Sequence, residues 1–290
     1  MHVKFPPIVS LMLPLLLLGT LAPTAQAADG LTAVRTIVLD PGHGGEDTGT
    51  TGPCGTEEKE LVLQIAFQLR DALLERDPTL TVILTREEDV YVPLEDRTHL
   101  ANSVGADLFV SIHLNGAVNP GAHGIETFFL APEGTAIGEV VPGQAALGAT
   151  RARLPVGVAG DLVSVIRHDL QHHAALRQSA RLAEAVQGRL IAETGARDRN
   201  VREGRFRVLR GARMPAVVVE LGFLTNAREG ERLADETYQQ RLVHALVGGL
   251  TEFDRWTTEA VAEWTPPPHR DSPAPTAEGM ATVPTTGAAR

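Results

Sequence analysis

The sequence predicts a single α/β domain built on a mainly parallel, twisted sheet with helices on both faces. Three observations carry that reading. Short apolar runs alternate along the chain with longer stretches of helical apolar spacing, the order that produces a parallel sheet with helical crossovers. The strand candidates are apolar almost without interruption, as strands buried on both faces are. Hydrophobic residues make up 43% of the 290 residues and aromatics only 4%, so the core must come from Val, Leu, Ile and Ala.

The elements follow in order. RTIVLD (35–40) is a short apolar run ending on Asp40, followed by a glycine-rich loop. In EKELVLQIAFQLRDALLERD (58–77), Val62, Ile65, Ala66, Leu69 and Leu73 share one helical face. TVILTR (81–86) is a second strand, and LEDRTHLANSVG (94–105) a short helix closed by Gly105. ADLFVSIHLN (106–115) reads as a strand buried on both sides, and GIETFFL (124–130) as a further strand. A long helix is expected from about 173 to 194, then the short apolar segment FRVLR (206–210), the strand AVVVELG (216–222) and a closing helix around 236–255.

The ends read differently. Residues 1–27 carry one lysine, an apolar run and the small-residue pattern Ala25-Gln26-Ala27, the layout of a cleavable secretory signal. The run is shorter than the roughly 20 residues that span a bilayer, so export by the general route to the periplasm or cell wall is expected, with no permanent membrane anchor. The mature domain is then 28–257, and 258–290, rich in Pro, Thr and Ala, reads as a disordered tail. Within the domain, 131–171 exceeds what a strand-to-helix connection needs and reads as an insertion or regulatory segment. A formal net charge of −10 argues against nucleic acid as a partner. Cys54 is the one cysteine, so no disulfide closes within the chain, and it reads as a loop residue.

In parallel sheets, functional residues gather at the carboxyl ends of the strands. His43 follows the first strand, His113 ends FVSIH, and Glu220 ends AVVVE. Each histidine alone has a structural explanation. Glu220 is harder to explain, because a carboxylate after four apolar residues is costly to bury without a compensating charge. The loop IVLDPGHGGEDTGTTGPCGTEEKE (37–60) contains neither a GxxxxGK[ST] nor a GxGxxG pattern, which sets phosphate binding aside. Two imidazoles and a carboxylate form a ligand set suited to catalytic Zn²⁺. The carboxylate candidates are Glu57, Glu58, Glu60 and Glu220. Glu58 opens a helix, where its charge is favoured, and that choice leaves Glu220 free to accept a proton. Asp40 is expected to orient His43 or its loop, Asn115 to position substrate or support the site, and Arg97 to form a buried salt bridge.

With these residues in place, the chain resembles the zinc-dependent N-acetylmuramoyl-L-alanine amidases that cleave bacterial peptidoglycan. The matching stretches are DPGHGG with Asp47 and Gly49, Glu58-Lys59, LTR (84–86), LEDR and AN between 94 and 102, SIHLN (111–115), GIE (124–126) and MPAVVVELGFLTN (214–226). The resemblance covers about 35–255. It implies one Zn²⁺ on His43, Glu58 and His113, with Glu220 as the catalytic carboxylate. It also implies cleavage of the amide between N-acetylmuramic acid and L-alanine, in wall remodelling or daughter-cell separation. Some members carry an insertion whose helix covers the site until an activating protein removes it; DLVSVIRHDLQHH (161–173) is the corresponding candidate, with Asp161 or Asp169 toward the metal. The competing expectations are a catalytically silent wall-binding module of the same fold, and a zinc amide hydrolase acting on soluble muropeptides.

Overall fold

A computed structural model describes residues 30–131 and 162–263. Six strands form one sheet: β1 (Thr36–Pro41), β2 (Thr81–Leu84), β3 (Leu108–Asn115), β4 (Ile125–Leu130), β5 (Asp198–Gly204) and β6 (Ala216–Phe223). Their order across the sheet is β2-β1-β3-β6-β4-β5. All neighbours run parallel except β4 and β6, which are antiparallel. The mainly parallel sheet expected from the sequence is therefore present, with one reversed pairing inside it.

Strand periodicity sorts the side chains onto two faces. Ile37, Leu39, Val110, Ile112, Val217 and Val219 face one core, shared with α1 (Glu58–Arg76), α3 (Leu162–Thr194) and α5 (Glu236–Glu263). Val38, Phe109, Phe128, Ala216 and Val218 face a smaller core under α2 (Leu94–Ser103) and a 3-10 turn at Arg207–Leu209. Helical layers thus cover both faces, and the predicted apolar stripe of α1 (Val62, Ile65, Ala66, Leu69, Leu73) is fully buried.

Several elements depart from the sequence reading. FRVLR forms the 3-10 turn and its two flanking residues, with Phe206 packed at a tilt against Phe128, 4.8 Å between ring centroids. DRNVREG, too polar to read as a strand, is β5; it lies at the sheet edge, where one side faces solvent. The short α4 (Ala227–Ala234) is capped by Asn226, whose side chain accepts from the Glu229 N–H. α5 runs to Glu263, past residue 258 where composition placed the start of the tail. Thr257 and Thr258 donate to the carbonyls of Phe253 and Asp254 within that helix, and no proline interrupts it before residue 266. α3 begins at Leu162, so the last part of 131–171 is helical backbone. The expected signal, residues 132–161 including Asp161, the side chain of Asp169 and the tail from 264 lie outside the described residues. Among the described residues, no helix is long and apolar enough to cross a membrane.

Candidate functional site

Parity places the polar residues of four strands on one face. Asp40 shares a face with Val38, Ser111 and His113 with Phe109, Glu220 with Val218, and Glu126 with Phe128. The register then sets them side by side: His113 pairs with Glu220 across β3 and β6, and Glu220 with Glu126 across β6 and β4. Because β4 runs antiparallel, its first residues meet the carboxyl end of β6.

The loop after β1 brings His43 to this edge. His43 adopts φ 59°, a left-handed conformation uncommon for a residue with a side chain. Two arginines hold the loop in that shape. Arg97, 1% exposed, donates to Asp40 Oδ1 at 2.8 Å, to the Pro41 carbonyl at 2.9 Å and to the His43 carbonyl at 2.8 Å. Arg86 donates to the carbonyls of Pro41, Gly42 and Lys59. Asp40 is satisfied on both oxygens, accepting also from Thr85 Oγ1 and Ser111 Oγ at 2.6 Å each. The expected salt bridge of Arg97 is thus present. Asp40 acts on the His43 backbone through Arg97, and the group that touches the His43 ring is Asp47, with Nδ1 and Oδ1 2.9 Å apart.

Glu58 begins α1 and points back into the sheet edge. His43 Nε2 lies 3.1 Å and His113 Nδ1 3.0 Å from the same oxygen, Glu58 Oε1. That oxygen also accepts the Leu114 N–H, and Oε2 accepts the Thr50 N–H at 2.8 Å. His43, Glu58 and His113 each present a ligand atom within 4.8 Å of the others. Among the four carboxylate candidates, Glu58 is the one aimed at both imidazoles. Glu57 instead lies 3.4 Å from Lys59 Nζ, and Glu60 is exposed. Packing at this point is tight: a Cβ on Gly42 would come within 2.2 Å of His113 Cε1, and one on Gly49, at φ 67°, within 2.6 Å of Glu58 Oε2.

The electrostatics match a site built for a cation. Burial alone raises the Glu58 carboxyl, but the hydrogen bonds and charges of His113 and His43 outweigh it and hold the group well below its ordinary range. Burial likewise opposes the charged form of His43, yet Glu58 and Asp47 raise it. Glu220 behaves oppositely. Its burial, then the negative charges of Glu58 and Glu126, push its carboxyl well above the ordinary value of 4.5. Its Oε2 is buried with no hydrogen-bond partner among the described residues. An orphaned carboxyl beside three convergent donors of nitrogen and oxygen type fits a divalent metal with an open position.

Other candidates lie elsewhere. Asn115 Nδ2 donates to Glu126 Oε1, so its side chain supports a neighbouring carboxylate. His123 is exposed and bonds the Gly121 carbonyl; His173 is exposed on α3. Cys54 is exposed at the edge of an apolar cavity of about 250 Å³ between its loop and α4. Sequence reasoning placed Asp47 and Glu126 in matching stretches without giving either a role, and it did not single out Arg199 or Arg202. Glu126 carried the same signal as Glu220, a carboxylate placed inside an apolar strand. Arg199 and Arg202, which lie 3.3 and 3.5 Å from Glu126 Oε2, depend on a strand the composition conceals.

Comparison with known proteins agrees with this geometry. The sequence profile of the N-acetylmuramoyl-L-alanine amidase family matches residues 37–252. The chain is 33% identical over 245 residues to the N-acetylmuramoyl-L-alanine amidase AmiA of Escherichia coli K12, covering 82% of this chain and 81% of that protein. It is 32% identical to the crystal structure of an N-acetylmuramoyl-L-alanine amidase from Clostridium difficile 630, with a TM-score of 0.58 and coverage of 77% and 97%. The catalytic domain of CwlV from Paenibacillus polymyxa var. colistinus is 28% identical, also with a TM-score of 0.58, over 76% of this chain and 98% of that one. A sheet edge that gathers two histidines and two glutamates, inside a match spanning most of the chain, places this protein in the N-acetylmuramoyl-L-alanine amidase family.

Proposed function

We propose that this hydrolase cleaves the amide between N-acetylmuramic acid and L-alanine with one Zn²⁺ held by His43 Nε2, Glu58 and His113 Nδ1, and with Glu220 carrying the proton. The observation behind this reading is the convergence of the three donors within 4.8 Å, next to a buried carboxyl whose Oε2 has no hydrogen-bond partner among the described residues. When bound, zinc supplies a Lewis acid that polarises the scissile carbonyl and makes water acidic enough to attack near neutral pH.

The chain's own residues do the rest. The surroundings of Glu220 raise the proton affinity of its carboxylate. It accepts the proton of the attacking water and delivers it to the amine nitrogen as the C–N bond breaks, leaving a carboxylate on the muramoyl side and a free amine on the peptide. Asp47 fixes the His43 ring by holding its Nδ1, which leaves Nε2 turned toward Glu58. Asp40, Arg97 and Arg86 hold the loop backbone, so the ligand positions are set before substrate arrives.

Cell-wall action follows from the substrate. Export is part of the reading, resting on the layout of residues 1–27, as is an activating protein that acts on 131–171. A protein partner has a parallel in the CwlD amidase of Clostridioides difficile, 25% identical with a TM-score of 0.57, whose structure is a complex with the GerS lipoprotein. The test is digestion of purified peptidoglycan by zinc-loaded protein with mass spectrometry of the products. Free peptides beginning at L-alanine, absent with Glu220→Ala while zinc content is unchanged, are expected. Bound zinc with intact peptidoglycan and intact soluble muropeptides would refute the reading.

A further inference from the structure

Against a formal net charge of −10, residues 197–213 hold seven arginines and only two acids. Two of these arginines stand at the site edge. In a regular strand, residues three apart point to opposite faces. Between β4 and β5 the register slips: Ile125 pairs with Asp198 and Thr127 with Val201, and Asn200 in the extra stretch adopts φ 71°. This bulge turns Arg199 and Arg202 to one side, where Arg199 Nε lies 3.3 Å and Arg202 Nη1 3.5 Å from Glu126 Oε2. Bulges beside active sites re-aim side chains in this way.

Two guanidinium groups exceed what one carboxylate needs, since Asn115 already donates to its other oxygen. Arg199 is stacked over the Phe223 ring at 4.7 Å and is 24% exposed, which fits a fixed partner for Glu126. Arg202 is 48% exposed and makes the longer contact. The trio keeps a net positive charge with planar donors open to solvent, suited to a second carboxylate.

We propose that Arg199 and Arg202 form a subsite for a carboxylate on the peptide limb of the substrate, an inference that rests on the amidase reading above. Adjacent strands lie about 4.8 Å apart, so the backbones of β6 and β5 are about 10 Å apart, and the two guanidinium groups reach back from β5 to Glu126 on the strand between them. An extended peptide advances about 3.3–3.6 Å per residue. The recognised carboxylate therefore sits about two to three residues along the peptide limb from the scissile amide.

The test compares a muramoyl tetrapeptide with the same compound whose peptide carboxylates are primary amides, using zinc-loaded enzyme. Wild type is expected to prefer the free acid in kcat/KM by about tenfold, mainly through KM. Arg202→Gln should bring that ratio close to one, and Arg202→Lys should restore much of it. Calorimetric titration of the released tetrapeptide into Glu220→Gln protein should show the same loss when Arg202→Gln is added. A wild-type ratio near one, or equal losses on both substrates in Arg202→Gln, overturns the subsite. So does an unchanged ratio accompanied by weaker sedimentation with sacculi carrying phosphate polymers, which would assign the arginines to that polymer. If wild type cleaves neither compound, the amidase reading fails and this inference with it.

Discussion

Replacing Glu220 by Gln should make the metal-free protein more stable and the enzyme nearly inactive. The carboxyl is buried, its Oε2 has no hydrogen-bond partner among the described residues, and Glu58 and Glu126 place negative charge beside it. Its folded-state pKa is raised, so between the ordinary value near 4.5 and that raised value the folded protein holds a proton that the unfolded chain releases. The stability this gives is complete below the unfolded value and is lost as pH rises through the folded one. Glutamine keeps the shape, never ionises and brings an N–H donor toward neighbouring carboxylates. Relief of one unsatisfied buried group amounts to about 1–3 kcal/mol. In a domain of this size each kcal/mol moves Tm by roughly 2–4 °C. The assay is thermal melting of chelator-treated wild type and variant from pH 4 to 8, with amidase turnover measured in parallel. The variant should melt higher at pH 7, the gap should close toward pH 4, and turnover should fall by about 10²–10⁴-fold, as expected when a general acid-base group is removed. A variant that melts lower than wild type at pH 7, or that keeps a tenth of the activity, would show that Glu220 is neither the strained group nor the proton carrier.

Four further outcomes are expected. His113→Ala, and separately His43→Ala, should lower zinc content from one per chain to a small fraction, measured by elemental analysis after dialysis, with turnover lost in proportion. Gly42→Ala should cost zinc retention while the far-ultraviolet circular dichroism stays unchanged, because the new Cβ would meet His113 Cε1 at 2.2 Å. Arg97→Ala removes the ion-pair partner of Asp40, which is 0% exposed, so urea unfolding should show a loss of about 3–5 kcal/mol. Removing zinc with a chelator should abolish turnover and lower Tm, and adding zinc back should reverse both; a Tm indifferent to zinc would contradict binding at this site.

Legibility followed burial. Strands β1, β3 and β6 announced themselves because both faces are covered, so their residues are apolar without interruption and the few polar ones stand out. His113 and Glu220 were visible for that reason, and His43 and Glu58 because the glycine-rich loop between strand and helix leads from one to the other. Edge strand β5 was invisible for the converse reason: one side meets water, so DRNVREG shows no apolar pattern. With β5 hidden, neither the bulge at Asn200 nor the convergence of two arginines on Glu126 was readable. Among Glu57, Glu58 and Glu60 the sequence pointed to Glu58 as the helix opener and through the resemblance, and the fold adds which of these side chains α1 directs inward at its first turn. Asp47 is a different case, four residues from His43 in a loop whose left-handed turn no local propensity specifies.

The reversed strand β4 explains why this edge carries more chemistry than a purely parallel sheet would give it. A parallel strand contributes its carboxyl end to the edge, as β1, β3 and β6 do with Asp40, His113 and Glu220. β4 contributes its amino end, so Glu126 arrives opposite Glu220 with Gly124 and the preceding loop beside it. Two carboxylates on facing positions of an antiparallel pair repel unless one is neutralised or the other stays protonated. Here both happen: Asn115, Arg199 and Arg202 hold Glu126, while Glu220, its carboxyl raised, has no hydrogen-bond partner for Oε2 among the described residues. The asymmetry divides the work. One carboxylate anchors cationic side chains on the edge strand, and the other is left with the raised proton affinity that the role proposed for Glu220 requires.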